Sequence, residues 1–198
     1  VPAATNRWFD GLLEKNSGVS LHDDICYGRA NLNCPEVVTS LSELKDLSQY
    51  FQEGQFSAEE NECRLLLYPG EAAMEYSATW EAATLESQGQ DLANWGYFRF
   101  PSGVTPSRSN RFTYGIYINA DSPNKDLAED FLKICASIEP FKADFEARHS
   151  IIGVRDDAID VSQLDDLRKE LVADASNPDG SYMATNEMCW PPKLTDML

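Results

Sequence analysis

The chain has 198 residues, is 42% hydrophobic and 11% aromatic, and carries 33 acidic against 16 basic residues for a formal net charge of −17. Length and composition suit a folded globular chain of one or two domains with a real core. The charge argues against nucleic acid as a partner, since phosphate binding needs clustered Lys and Arg, and disfavours an anionic membrane surface, and no apolar run approaches the ~20 residues of a membrane helix.

The first predicted element is a helix over 6–13, with adjacent Trp8 and Phe9 and the pair Leu12 and Leu13, closing near Asn16-Ser17-Gly18. His22, Asp23 and Asp24 read as loop. Cys34-Pro35 opens the next helix, since proline suits a first turn. Its stripe is Val37, Leu41, Leu44, Leu47 and Phe51, and Gly54 ends it. Residues 64–68 read as a short apolar strand, Pro69-Gly70 as a turn and 72–77 as a second strand. A helix over 79–88 carries Trp80 in its first turn.

Residues 94–101 alternate weakly and read as a strand, 102–111 as a polar loop and 112–119 as a β-rich run. Ser122 is a predicted N-cap with Pro123 at the first helical position. Leu127, Phe131, Ile134 and Cys135 give that helix an apolar stripe, with Cys135 as a small buried filler. A further helix follows Pro140, carrying Phe141 and Phe145. Ser162-x-x-Asp165 resembles a capping box opening a helix with Leu164, Leu167 and Leu171. The tail from Ser176 reads as loop, and Cys189-Trp190-Pro191-Pro192 interrupts it. Strands alternating with helices predict an α/β chain.

Five cysteines are present: Cys26, Cys34, Cys63, Cys135 and Cys189. None has C-x-x-C spacing, which argues against a zinc ribbon or a thioredoxin-like site. The odd number leaves at least one free or paired outside the chain, and Cys26 and Cys34 are close enough to bridge a short loop. His22 and His149 lie far apart, and no G-x-S-x-G, Walker or G-x-G-x-x-G motif occurs. These features predict no enzyme, cofactor or metal. The best enzyme alternative is a paired-carboxylate glycosidase, for which abundant acidic residues give no specific signal.

Four segments carry a resemblance. Gly70-Glu71-Ala72-Ala73-Met74 is followed by Trp80, and Phe98-Arg99-Phe100-Pro101 comes next. Gly115-Ile116-Tyr117-Ile118-Asn119 and a Ser122-Pro123-Asn124-Lys125 helix start then follow. In that order they resemble the C-terminal half of extracellular solute-binding proteins of ABC importers, the sugar-binding family that includes maltose-binding protein. The resemblance spans about 6–190 and is strongest over 70–132.

It implies a two-lobe α/β periplasmic-binding-protein-like fold of type II, lacking the N-terminal part of the first lobe. Residues 1–99 and 138–198 would then build one lobe, and 100–137 the hinge and a segment of the other. It also implies a carbohydrate ligand, ABC permease subunits as partners, and an extracellular or periplasmic place, anchored through a lipidated N-terminus outside this chain. A sensing domain that kept the fold and lost the transporter is the third alternative.

Sugars present apolar C–H faces and polar rims, so their sites pair an aromatic ring with a few polar groups. The resemblance makes Trp80 the first stacking candidate, against a packing role at a helix–strand joint. Ser77-Ala78-Thr79 stands where the relative has Asn-Gly-Pro. Trp8 and Phe9 match a cleft-lining aromatic pair, and only one of two adjacent helix residues can face a ligand. Trp190 matches a third ring, although Pro191 and Pro192 depart from the helix expected there. Glu75, Ser77, Asp23 and Asp24 are candidate hydroxyl partners, because carboxylates accept two hydroxyls at once.

Overall fold

The computed structural model describes residues 2–54, 60–107, 109–111, 115–151, 156–177 and 181–183. Two compact units divide the chain. The first comprises Val1–Ser77, Phe98–Phe112 and Pro178–Leu198, and the second Ala78–Tyr97 and Thr113–Asn177.

In the first unit, α1 (Pro2–Ser17), α2 (Val19–Cys26) and α3 (Pro35–Leu47) enclose a core of Phe9, Leu12, Leu13, Ile25, Val37 and Leu44. Phe9, Leu12 and Leu13 stand at i, i+3 and i+4, which puts all three on one face of α1. Gly18, at φ 75°, separates α1 from α2, and its N–H donates to the Glu14 carbonyl at 2.7 Å. The expected loop at His22, Asp23 and Asp24 is therefore helix. His22 and Ile25 share the buried face of α2, and that burial outweighs the weak helix propensity of the aspartates.

Helix α3 starts as predicted, with extended Cys34 as N-cap and Pro35 in the first turn. Its buried face is Val37, Ser40 and Leu44, and Leu41 is exposed, which corrects the predicted stripe. The helix ends at Leu47, followed by a 3-10 turn over Ser48–Tyr50, while Leu47 and Phe51 still pack against the core.

Of the residues predicted as the strand 64–68, 64–67 belong instead to α4 (Glu60–Leu67), and Tyr68 to the turn that follows. Three consecutive leucines are too short a run to separate strand from helix by period, and Glu, Arg and Leu favour helix. Gly70 at φ 79° closes α4, donating to the Leu67 carbonyl at 3.0 Å, while Ala72 N–H reaches Leu66 at 2.9 Å.

Residues 72–77 and 94–101 form no strand, nor do 115–119, the described part of the run predicted over 112–119. A strand needs a hydrogen-bonded neighbour as well as an alternating pattern. Among the described residues, β structure is limited to β1 (Ser109–Arg111) and β2 (Ser181–Met183). They pair in parallel, Asn110 opposite Tyr182, inside segments expected to be loop. The α/β layering predicted from the sequence is not seen among the described residues, where helix dominates.

The second unit contains α5 (Glu81–Ser87), α6 (Lys125–Cys135), α7 (Ile138–Arg148) and α8 (Asp166–Ala175). Helix α6 begins after Asn124, later than the predicted cap. Ser122 Oγ accepts the Asn124 N–H at 3.2 Å, and so holds the turn before the helix. Helix α7 takes in Pro140 within its first turn rather than following it, and ends at left-handed His149, φ 50°. The capping box expected at Ser162 is replaced by two aspartate caps. Asp160 caps the 3-10 turn over Val161–Gln163, and Asp165 accepts the Arg168 N–H at 2.9 Å to cap α8.

Cys26 is disulfide-bonded and Cys34 is a free thiol, so no bridge joins these two. Cys135 is half-buried rather than a fully buried filler. Cys189 lies outside the described residues.

Candidate functional site

Successive residues on a helix point about 100° apart. Phe9 is therefore buried in the α1 core at 1% exposure, while Trp8 stays half-buried at its edge. The Trp8 ring meets Phe51 at 5.3 Å between centroids, Tyr76 at 5.3 Å and Phe100 at 5.9 Å. Tyr76 and Phe100 stand 5.4 Å apart. Interplanar angles of 46°, 63°, 67° and 45° make these tilted or edge-to-face contacts, the attractive arrangements for aromatic quadrupoles.

Beside the rings lies a small depression of about 10 Å³, room for roughly one water molecule. It is lined by Gly11, Glu14, Lys15, Tyr76, Phe100, Pro101, Thr105, Pro106 and Ser107. The loop on its rim is held by its own hydrogen bonds. Arg99 donates to the Ser107 carbonyl at 3.2 Å, and the Ser107 N–H to Ser102 Oγ at 3.0 Å.

On the α1 side, Lys15 Nζ donates to both Glu43 oxygens at 3.0 and 2.9 Å, and Asn16 donates to Glu43 at 3.0 Å and to Ser40 at 3.1 Å. Burial pushes the Glu43 carboxyl up. Hydrogen bonds from Lys15 and Asn16 and the Lys15 charge outweigh that and hold it below its ordinary value.

The predicted site residues fall in several places. Glu75 is mostly buried, with Arg64 Nε 3.7 Å from its Oε1. It precedes Tyr76, so the Trp8–Tyr76 contact brings α1 next to the segment that also carries half-buried Ser77. Asp23 lies 3.8 Å from His22 Nδ1. Asp24 binds Arg29 Nε at 2.7 Å, and its carbonyl accepts the N–H groups of Arg29 and Ala30 at the end of α2. Trp80 is half-buried as the N-cap of α5, in the second unit. Trp190 lies outside the described residues.

Sequence reasoning did not bring Phe51 and Phe100 to Trp8. Both had been read within their own elements, one on a helix stripe and one in a hinge strand. The sequence signal that could find such a neighbour is Gly11, inside an otherwise amphipathic helix.

Among the described residues, no group of three or more His, Cys, Asp and Glu side chains could hold a metal ion. No helix among them is long and apolar enough to cross a membrane. The family model described as bacterial extracellular solute-binding protein matches residues 1–140. Neither the curated proteins nor the solved structures gave a match.

Proposed function

We propose that this chain, which belongs to the bacterial extracellular solute-binding proteins, captures a carbohydrate by aromatic stacking. The family carries a periplasmic-binding-protein-like fold and binds substrate for ABC transport outside the cytoplasmic membrane, which places the chain in the extracellular or periplasmic space. Permease subunits of an importer are its general partners, and its family role is binding. Carbohydrate as the ligand is our reading.

The single observation that carries it is the Trp8 ring, half-buried at the edge of a core and braced by Tyr76 and Phe100. A braced ring loses little entropy on binding and offers a flat apolar face to the C–H side of a sugar. Trp80 and Trp190 are further candidate stacking rings. Glu75 and Ser77 serve as hydroxyl partners near the Trp8 cluster, and Asp23 and Asp24 are further candidates.

Calorimetric titration with maltotriose, cellotriose and xylotriose tests the reading. Trp8→Ala and Trp80→Ala should each weaken the tightest of these by ~1–3 kcal/mol, the scale of losing an aromatic anchor. Chromatography should recover the sugar intact, where a glycosidase would shorten it. Unchanged affinity in both variants, with lowered stability, would make the two rings packing residues.

A further inference from the structure

Gly11 is buried in the interior of α1. Glycine there is unfavourable relative to alanine, because it loses more backbone freedom on folding. The position therefore calls for a reason, and the ring of Phe100 supplies one. A Cβ at residue 11 would lie 3.1 Å from Cε2, 3.2 Å from Cδ2 and 3.3 Å from Cζ of that ring. Carbon atoms at optimal contact stand about 3.5–4.0 Å apart.

The segment after Phe100 is tied to α1 through its backbone. A Cβ on Gly103 would lie 1.9 Å from the Lys15 carbonyl oxygen, so the two backbones already touch. The Val104 N–H donates to that same oxygen at 2.8 Å. Lys15 is in the last turn of α1, where carbonyls need a donor from outside the helix. With the backbone tied at 103–104, a methyl group at residue 11 is most cheaply relieved by turning the Phe100 ring. That ring touches Trp8 and Tyr76.

We propose that Gly11 is a positioning residue for the aromatic platform. Its missing side chain lets Phe100 lie against α1, and Phe100 in turn sets the tilt of Trp8 and Tyr76. The inference rests on the reading of Trp8 as a sugar-stacking ring.

The test is a double-mutant cycle in the 198-residue chain: Gly11→Ala, Phe100→Leu, and both together. Near-ultraviolet circular dichroism without sugar reads the ring arrangement, with Trp8→Phe to identify the Trp8 band. Titration with maltotriose, cellotriose and xylotriose reads binding. Gly11→Ala should alter the Trp8 band and weaken the tightest sugar about fivefold, a size usual for coupled neighbours. Its melting temperature should hold or rise, since alanine favours helix. In the Phe100→Leu background the same substitution should change neither band nor affinity further. An unchanged Trp8 band in Gly11→Ala overturns the proposal, and so does loss of the helical far-ultraviolet signal. If the parent chain binds none of the three sugars, the carbohydrate reading fails, and the dichroism cycle still decides the role of Gly11.

Discussion

Helices α3 and α6, of 13 and 11 residues, each carry an apolar stripe at helical spacing, but they end in opposite surroundings. In α3, in the first unit, Val37 and Leu44 are 5% and 8% exposed, packed in the core shared with α1 and α2. In α6, in the second unit, Leu127, Phe131 and Ile134 are 72%, 60% and 62% exposed, and no residue of the helix is buried. Both units bury ionisable side chains. The first buries Asp10 and His22 at 1% and 0% exposure along with its rings and aliphatic side chains, and the second buries Arg168 at 2% along with Leu85, Phe145, Leu164 and Leu171. A helical stripe therefore records only that a face is apolar, and a facing element decides whether it becomes core.

The strongest way to break this comparison is to remove a ring from each side. Phe9→Ala should lower unfolding free energy by ~3–5 kcal/mol in urea titration, the cost of emptying a buried aromatic site. A loss below ~1 kcal/mol would mean that the three-helix core is not what holds the first unit together.

Next in size is Arg168→Met. Arg168 donates to Asp165 at 2.7 Å and to Glu86 at 2.7 Å, which ties α8 to α5. The loss should be about 2–3 kcal/mol, less than for a fully buried pair because both carboxylates keep some solvent. If the variant is as stable as the parent, the second unit does not depend on its ion pairs.

Acid should then distinguish the units more finely. Burial raises the Asp165 carboxyl, but hydrogen bonds from the Arg168 N–H and guanidinium, and its charge, hold it below the ordinary value. A carboxylate depressed in the folded state adds stability above its unfolded value of about 4, and that stability is lost as pH falls through the folded value. Melting temperature should therefore drop on acidification below about pH 4. Arg168→Met should flatten the part due to Asp165, and Lys15→Met the part due to Glu43. An acid profile identical in parent and variants would show that neither pair contributes.

The smallest effect is expected at Phe131→Ala, within ~0.5 kcal/mol in unfolding, as for surface substitutions generally. Exposed apolar faces favour association, so the same change should reduce self-association in light scattering. A cost near that of Phe9→Ala would show that α6 is covered after all, and the contrast would fall.

Much of the helical framework was legible in the sequence because caps and stripes are local. The Cys34-Pro35 start of α3 needs only the geometry of a first turn, and the stripe of α6 needs only 3.6-residue spacing. The ordered segments from Gly70 to Leu132 likewise carried the family, which the match over residues 1–140 bears out.

Other features depended on neighbours far away in the chain. Residues 64–67 became helix because an apolar triplet fits either structure, and residues 72–77 stayed outside any ladder because alternation cannot supply a pairing strand. Asp23 and Asp24 became helical because His22 and Ile25 beside them are buried. The candidate site shows the same division. The sequence by itself put Trp8 and Phe9 side by side on one helix. Only the tertiary structure sent Phe9 inward and gathered Phe51, Tyr76 and Phe100 around Trp8, because ring contacts across 24 to 92 residues are set by packing and leave no periodic trace in the chain.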